Sequence, residues 1–215
     1  MEDAYWQTRW QRGETGFHLP RPHPKLVTLW PTFAPDFASP VFVPLCGKSL
    51  DMVWLAERGH AVIGVELSEL AVTAFFAEQG LVPDQQQQGA LTRFSAGHYT
   101  IYCGDFFSMS AEHVAGCEQI YDRAALIALP APLREAYVQH LRSMLPKAQL
   151  LLITLVYLQH QMAGPPFSVP PEEVAALFAD ANRVQLMDHD ILSHEPRFAA
   201  KGVTALREQV WRLSW

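Results

Sequence analysis

Short apolar segments alternate with helical segments between residues 41 and 156, and this alternation constrains the fold more than any other feature. Strands are predicted at 41–45, 61–67, 99–103, 118–122 and 149–156. Helices are predicted at 49–58, at 68–79 with Ser68 as its cap, at 110–115 and at 132–145. Parallel strands need such crossover connections, because the chain must return along one face of the sheet before the next strand begins. The sequence therefore predicts an α/β fold with helices on both faces of a mostly parallel sheet.

The C-terminal part of the chain follows a different pattern. A Pro-rich stretch at 164–171 leads into a short predicted helix at 172–179. The last two strands are predicted at 184–191 and 206–213, without a clear long helix between them. Strands that lack a crossover helix pair antiparallel. The pattern therefore predicts an antiparallel hairpin that closes one edge of the sheet. The polar tract at 85–88 is predicted to be a surface loop.

Length, composition and charge limit the classes of protein to consider. With 215 residues, of which 49% are apolar and 18% are charged, the chain can bury a large core. We predict one domain over residues 1–215, in which residues 1–40 form an ordered N-terminal cover whose residues 16–40 are rich in Pro and aromatic side chains. The net charge is −6 and no basic run occurs, which argues against nucleic acid as a partner.

The cysteines and the hydropathy pattern bear on the compartment. The chain has three isolated cysteines and no CxxC pair, which favours small core residues in a reducing compartment over a disulfide framework or a metal site. Residues 1–6 lack the basic start of a signal peptide, and no apolar stretch reaches the about 18 residues of a membrane span. We expect a cytoplasmic protein with neither a membrane segment nor a bound metal.

The stretch VFVPLCGKSL at 41–50 ends in the letters of a phosphate-binding loop, Gly47-Lys48-Ser49. A complete loop of that kind has the pattern G-x-x-x-x-G-K-[ST], so its first glycine would stand at position 42, which is Phe42. Phenylalanine lacks the conformational freedom with which that glycine lets the backbone wrap the phosphates. The motif therefore argues against a nucleoside triphosphate site.

Glu66 is the first candidate for a cofactor contact. It ends the second predicted strand, nineteen residues after the turn at Gly47. In doubly wound folds an acid at about this spacing accepts hydrogen bonds from ribose hydroxyls. The fingerprint G-x-G-x-x-G is absent, which argues against a pyrophosphate and favours a ligand with ribose but no phosphate, such as S-adenosylmethionine. Two alternatives remain open, a strand-end glutamate in a solvated loop and a nicotinamide-dependent oxidoreductase.

Two further strand ends carry candidate side chains. Asp105 follows the third of the predicted strands at the position where an adenine edge lies in such folds, and a turn or helix cap is the alternative. Asp122 and Arg123 close the fourth strand at the carboxyl edge, where ligands bind. The alternative for Arg123 is a structural ion pair with Asp122 or Glu66.

Several segments together make the chain resemble the thiopurine S-methyltransferase family, in its bacterial branch. The most specific is PLCGKS followed by GVELS, within residues 44–68. The other matching segments are WQTRWQRGETGFH at 6–18, YCGDFF at 102–107, YDRAALIALP at 121–130 and GPPFSVP at 164–170. They occur in order over nearly the whole chain.

The resemblance implies a class I methyltransferase, with a Rossmann-like seven-stranded sheet that is parallel except for one antiparallel edge strand. It implies S-adenosylmethionine as the co-substrate, without a metal, and a monomer. Residues 1–40 would cover the cofactor site. The residues implied in cofactor contact are Trp10, Leu45, Glu66 and Arg123, to which the strand-end position adds Asp105. The alternative for Trp10 is a core anchor of the first helix.

The resemblance also implies an acceptor side and a reaction. Arg123 and Arg197 match the two arginines near the acceptor, and Phe17 and His18 match residues that line its pocket. The alternatives are a surface arginine for Arg197 and a buried, hydrogen-bonded histidine for His18. The implied partner is a small-molecule thiol, such as a thiopurine, or a selenium or tellurium compound as in tellurite resistance. No dedicated catalytic base is expected, because such thiols ionise readily.

One departure from the family bears on the acceptor. Many bacterial members have Glu-Tyr-Asp after the fifth predicted strand, where this chain has Val156-Tyr157-Leu158. The replacement of two acids by apolar residues is expected to alter acceptor preference and to spare the cofactor site. A non-catalytic protein that sequesters metalloids through Cys46 and His18 is the alternative function.

Overall fold

The computed structural model describes residues 3–34, 39–192 and 195–215. The predictions for the N-terminal start and for part of the N-terminal cover fall on residues 1–2 and 35–38, which lie outside the described residues. The chain divides into two compact units, Met1–Tyr121 and Asp122–Trp215. None of the helices in the described part of the chain is long and apolar enough to cross a membrane.

The first unit contains the predicted alternation of strands and helices. Two helices, α1 (Asp3–Gln11) and α2 (Pro24–Phe33), precede the first strand. The alternating elements are β1 (Val41–Val43), α3 (Leu50–Glu57), β2 (Val62–Glu66), α4 (Glu69–Glu78), β3 (Asp84–Gln88), β4 (Leu91–Ala96), β5 (Tyr99–Cys103) and β6 (Gln119–Arg123), of which β6 crosses the boundary between the units. Strand β1 pairs in parallel with β2 and β6, and β2 pairs in parallel with β5. The prediction of a mostly parallel sheet is confirmed here.

Strands β3 and β4 form an antiparallel hairpin where the sequence predicted a surface loop. The pair Gln88 and Leu91 closes a two-residue turn, in which Gly89 has a φ of +61° that suits glycine. Strand β4 also pairs antiparallel with β5 over five residues. The loop prediction was wrong because β3 is an exposed edge strand, in which glutamines need no buried face. Strand β4 buries only Leu91 and Phe94. Because these two residues are three positions apart, the apolar side chains of β4 do not show the two-residue alternation that predicts a strand.

The second unit combines a helical layer with an antiparallel set of strands. Its elements are α5 (Ala131–Met144), β7 (Gln149–Val156), α6 (Pro171–Leu177), β8 (Arg183–Ile191), α7 (Pro196–Ala199) and β9 (Arg207–Ser214). Strand β9 pairs antiparallel with both β7 and β8, in the order β7-β9-β8. The predicted C-terminal hairpin is therefore present. The reversed strand was wrongly placed at the edge, because β9 lies between β7 and β8.

Side-chain packing explains the position of β9. Val210 and Leu213 of β9 are fully buried, whereas β8 is exposed along most of its length. The indole Nε1 of Trp211 donates a hydrogen bond of 3.0 Å to Thr154 Oγ1 on β7. Burial of apolar side chains favours the strand that carries them in the inner position. The hairpin β3–β4 adds two strands that were not predicted, so the described residues contain nine strands instead of the predicted seven.

Candidate functional site

The turn after β1 is the most constrained stretch of backbone in the first unit. Leu45 has a φ of +47°, a left-handed conformation that a leucine rarely adopts, and Gly47 follows with a φ of +55°. The backbone N–H of Cys46 donates a hydrogen bond of 2.9 Å to Val65 O and so holds the turn against β2. Left-handed backbone at a non-glycine residue is concentrated at binding sites, where the surrounding structure enforces it.

Glu66 links the ends of β1 and β2. Its Oε2 accepts a hydrogen bond of 2.8 Å from the N–H of Gly47, and its Oε1 accepts one of 2.8 Å from the N–H of Ser68. The side chain is buried, and burial raises the pKa of the carboxyl group while the backbone N–H donors oppose that rise. Glu66 is therefore not a glutamate in a solvated loop. A carboxylate has about four acceptor positions, more than the backbone N–H groups of Gly47, Leu67 and Ser68 occupy, so Glu66 retains capacity for a further hydrogen bond from a ligand.

Ser68 differs from its prediction. It stands at the N-cap of α4, but its side chain makes no capping hydrogen bond. Its contribution is the backbone N–H that binds Glu66. The capping prediction was wrong. Residue preferences for helix caps do not take account of a buried carboxylate nearby, here that of Glu66, which binds the backbone of this strand-to-helix turn.

Two aromatic rings from the N-terminal segment lie against this turn. A Cβ placed on Gly47 would lie 3.2 Å from Trp10 Cζ2 and 3.9 Å from Phe17 Cε2. The two rings meet edge to face, with their centroids 5.4 Å apart, and Trp10 is buried. His18 follows at a half-buried position. The structure therefore brings Trp10, Phe17, Leu45 and Glu66 together around Gly47, which sequence spacing alone did not predict for the first two.

Lys48 and Ser49 complete the letters of the phosphate-loop motif, and both contribute to the packing of helices. The ammonium group of Lys48 pairs with the carboxylate of Glu78 at the end of α4. Ser49 Oγ accepts a hydrogen bond of 3.2 Å from the N–H of Asp51 and caps α3. These contacts account for the two side chains without a phosphate.

Asp105 follows β5 at the same edge of the first unit. Its Oδ1 accepts a hydrogen bond of 3.0 Å from the N–H of Phe107 and caps a 3₁₀ turn at Phe106–Ser108. The N–H of Gly104 donates a hydrogen bond of 2.9 Å to Glu66 O, which ties this segment to the end of β2. Asp105 therefore caps a short helical turn, as the alternative to a cofactor contact predicted. Asp105 is exposed, and its contact with a cofactor stays a prediction.

The second unit contains Asp122 and Arg123 at the end of β6. Asp122 is buried and accepts hydrogen bonds from Tyr137 Oη at 2.7 Å, Ala125 N at 3.1 Å and Leu126 N at 3.2 Å. Burial raises the pKa of Asp122 to about 6. Its carboxylate is therefore engaged by the turn and by Tyr137, and Asp122 is not the ion-pair partner of Arg123. The role of the half-buried Arg123 stays a prediction. Sequence reasoning missed the Tyr137 contact.

Arg197 lies on α7 in the second unit. Its side chain is 53% exposed, and its Nη2 is 3.6 Å from Glu195 Oε2. This long contact joins two exposed groups, and ion pairs of that kind contribute little stability. The predicted acceptor-side role of Arg197 stays a prediction.

Val156 and Leu158, at the end of β7, line a cavity of about 850 Å³ within the second unit. The polar side chains next to them form hydrogen bonds with the backbone of the loop that contains residues 164–170. Tyr157 Oη donates a hydrogen bond of 2.6 Å to Pro166 O, and Gln159 Oε1 accepts one of 2.9 Å from Ser168 N. The segment GPPFSVP is therefore held against the end of β7, beside the two apolar residues at which the sequence departs from its family.

The cysteines occupy core positions. Cys46 and Cys117 are buried, and burial raises the pKa of Cys117 to about 12 and that of the half-buried Cys103 to about 11. Thiols of this kind stay protonated near neutral pH and are poor metal ligands. Among residues 3–34, 39–192 and 195–215, no group of three or more His, Cys, Asp or Glu side chains could hold a metal ion.

Comparison with solved structures identifies the fold. The chain is similar to a SAM-dependent methyltransferase from Anabaena variabilis, with a TM-score of 0.66 and 16% identity over 99% of this chain and 94% of that one. It is also similar to magnesium protoporphyrin IX methyltransferase from Synechocystis PCC 6803, determined with bound SAH, with a TM-score of 0.64 and 16% identity over 98% of this chain and 97% of that one. These similarities confirm the class I methyltransferase fold.

Sequence comparison is more specific. Residues 1–214 match the family model described as thiopurine S-methyltransferase (TPMT). A thiopurine S-methyltransferase of Bordetella petrii is 50% identical over 99% of this chain and 98% of its own length. Those of Xanthomonas campestris pv. campestris and Pseudomonas putida are 49% and 47% identical, each over at least 99% of both chains. The predicted family and the predicted enzyme class are confirmed, and this chain belongs to the thiopurine S-methyltransferase family.

Proposed function

We propose that this protein transfers a methyl group from S-adenosylmethionine to the sulfur of an aromatic or heterocyclic thiol. The observation that carries the proposal is the buried carboxylate of Glu66, which holds the Gly47 turn and retains acceptor capacity for a ligand. Membership of the family and the names of its relatives support the reaction class and the thiopurine type of acceptor. The methyltransferase fold supports the co-substrate.

The residues around Gly47 fit an adenosine with an attached sulfonium. Glu66 would accept hydrogen bonds from the two ribose hydroxyls, because a carboxylate can accept from both at once. Trp10 would present its ring face to the sulfonium, whose positive charge is attracted to an aromatic ring. Leu45 would supply an apolar contact at the left-handed turn, and the exposed Asp105 would reach the adenine edge.

S-adenosylmethionine supplies an electrophilic methyl group on a positively charged sulfur. The acceptor thiolate attacks that methyl carbon in line, a new sulfur–carbon bond forms, and S-adenosylhomocysteine leaves. Aromatic thiols are largely ionised near neutral pH, so the protein needs no dedicated base. Its contribution is to hold the acceptor sulfur about 3 Å from the methyl group in the correct direction, which can supply most of the rate enhancement.

The acceptor side rests on Arg123, Arg197, Phe17 and His18 as proposals. Either guanidinium would stabilise a thiolate or a deprotonated heterocycle by its charge. Phe17 contacts both Trp10 and Trp6 edge to face, which supports an apolar surface for a ring. Selenium or tellurium compounds are a second acceptor class, because an ionised selenol needs the same positioning and no base. Sequestration by Cys46 without catalysis has little support, since burial raises the pKa of that thiol well above its ordinary value.

The test is one assay with purified protein, S-adenosylmethionine and one acceptor at a time. Thiophenol, 6-mercaptopurine and benzeneselenol are the acceptors, and mass spectrometry follows S-adenosylhomocysteine and methylated products. We expect stoichiometric S-methyl product from at least one thiol. Calorimetry with S-adenosylhomocysteine measures cofactor binding separately. Binding without product from any thiol would overturn the acceptor class, and the absence of binding would overturn the whole proposal.

A further inference from the structure

Residues 10–23 form a strap that is attached at both ends to the same short segment of the first unit. At one end, the ring of Trp10 lies against Gly47. At the other end, the backbone N–H of His23 donates a hydrogen bond of 2.7 Å to Asp51 Oδ1. Gly47 and Asp51 are separated by only three residues, at the turn that leads from β1 into α3. The strap therefore begins on the turn after β1 and ends on the first turn of α3.

Asp51 is built into this attachment. It is 2% exposed, in the first turn of α3, where a helix N-terminus favours an acidic side chain. Its Oδ2 accepts a hydrogen bond of 3.0 Å from Tyr121 Oη, so both carboxylate oxygens bind donors from distant parts of the chain. Bonds to a carboxylate are shorter and stronger than bonds between neutral groups. The 2.7 Å bond to His23 is consistent with that.

We propose that Asp51 is a positioning residue for the methyl donor. By fixing His23, it holds the strap so that Trp10 and Phe17 stay on the turn beside Glu66. This inference rests on the proposed function, because it assigns the strap to the S-adenosylmethionine site. The inference goes beyond the proposed function because it names a residue, Asp51, that does not touch S-adenosylmethionine but determines how tightly that ligand is bound.

Position 51 is suited to this role because the bond on the strap side comes from the backbone. The N–H of His23 is present whatever its side chain, so the hydrogen bond depends on an acceptor at position 51. The His23 side chain has a different task, since its Nδ1 accepts a hydrogen bond of 3.3 Å from the N–H of Lys25 and caps α2. The two contributions of His23 can therefore be removed separately.

The first pair of variants acts on the strap. His23→Pro removes the N–H, and proline fits there because His23 already has a φ of −64°. His23→Ala is the matched control, which removes the side-chain cap and keeps the N–H. We expect His23→Pro to raise the Kd for S-adenosylhomocysteine by about tenfold relative to His23→Ala. Equal Kd values in the two folded variants would overturn the proposal.

The second set acts on the carboxylate. Asp51→Ala removes both bonds, whereas Tyr121→Phe removes only the bond to Oδ2 and keeps the ring that packs against Trp30. Asp51→Asn is the conservative rescue, because its amide oxygen can still accept from His23. We expect a Kd increase of about tenfold for Asp51→Ala and of less than about threefold for the other two. If Tyr121→Phe weakens binding as much as Asp51→Ala, the role is general stability and the proposal fails.

Two further readouts separate positioning from stability. Trypsin can cleave after Arg12, inside the strap, and we expect faster cleavage there in His23→Pro than in His23→Ala. In steady state, the KM for S-adenosylmethionine should rise while kcat at saturation stays within about twofold. Wild-type protein that does not bind S-adenosylhomocysteine would overturn the proposed function. Wild-type binding with unchanged variants would overturn only the role of Asp51.

Discussion

The carboxylate of Glu66 accepts a hydrogen bond of 2.8 Å from the backbone N–H of Gly47, nineteen residues earlier in the chain. This bond joins the ends of two neighbouring parallel strands, and the second oxygen binds the N–H of Ser68. The turn that Glu66 holds is also the surface against which Trp10 packs. A single buried side chain thus shapes the turn and offers acceptor capacity to a ligand, which makes it the first target for experiment.

Replacement of Glu66 by alanine should abolish most of the affinity for S-adenosylmethionine. The loss of hydrogen bonds to a carboxylate is worth about 1.5–3 kcal/mol, so we expect the Kd to rise by about tenfold or more. Isothermal titration calorimetry with S-adenosylhomocysteine measures this. Glu69→Ala, three residues later at an exposed position, is the control and should bind normally. Unchanged affinity in Glu66→Ala would refute its assignment to the cofactor.

Replacement of Gly47 by alanine should weaken cofactor binding by displacing Trp10. The new Cβ would lie 3.2 Å from the Trp10 ring, and the φ of +55° adds a backbone cost of about 1–2 kcal/mol. Gly89→Ala has a similar φ of +61° but nothing within 4 Å of the new Cβ. We expect similar losses in unfolding free energy for both variants and a raised Kd only for Gly47→Ala. A raised Kd in both would show that backbone strain, and not Trp10, is responsible.

The buried Asp122 should make stability depend on pH. Its folded-state pKa of about 6 lies above the unfolded value of about 3.9. The folded protein therefore holds more protons between about pH 4 and pH 6, and its unfolding free energy falls as the pH rises through that window, by about 3 kcal/mol in total. In Asp122→Asn this contribution is absent, while the amide oxygen can still accept from the turn.

Urea unfolding at several pH values measures the Asp122 effect. The unfolding free energy of wild type minus that of Asp122→Asn should fall steadily from about pH 4 to pH 6 and then level off. Asp180→Asn, at an exposed position, serves as the control, and its difference from wild type should be flat. A flat difference for Asp122→Asn would mean that its pKa is not raised by burial.

Arg197 tests the acceptor side. We expect Arg197→Ala to raise the KM for a thiol or lower kcat, with a loss of about tenfold in kcat/KM, and to leave the Kd for S-adenosylhomocysteine unchanged. The reason is that its charge would act on the acceptor thiolate and not on the adenosine. Arg183→Ala removes another exposed arginine and should keep wild-type kinetics. The opposite pattern, a weakened cofactor with an unchanged acceptor KM, would contradict the assignment.

Leu158 tests the departure from the family pattern. Leu158→Asp places a negative charge on the cavity of the second unit, and we expect the KM for thiophenol to rise by about tenfold, because the added carboxylate repels the acceptor thiolate and is costly to desolvate beside its ring. The Kd for S-adenosylhomocysteine should stay the same. Val82→Asp changes a residue that is 94% exposed and controls for the added charge. An unchanged thiophenol KM would separate this cavity from acceptor selection.

The sequence by itself determined the alternation of strands and helices, the mostly parallel character of the sheet, and the candidate role of Glu66. Each of these depends on residues that are close in sequence. Short apolar runs bounded by turn residues are typical of buried strands, and the spacing from Gly47 to Glu66 is the spacing between the first turn and the acid at the end of the second strand in a doubly wound fold. The hairpin β8–β9 was also predicted, from the missing crossover helix.

Only the tertiary structure decided the position of β9 between β7 and β8, the pairing of the glutamine-rich β3, and the attachment of the strap. Which strand takes the inner position depends on how apolar side chains from many elements share one core. The bonds from His23 and Tyr121 to Asp51 span 28 and 70 residues. No local pattern encodes these pairs. The His23 donor is a backbone N–H, which every residue except proline has, the Tyr121 donor is a hydroxyl far away in the sequence, and the acceptor is buried only after the whole unit has folded.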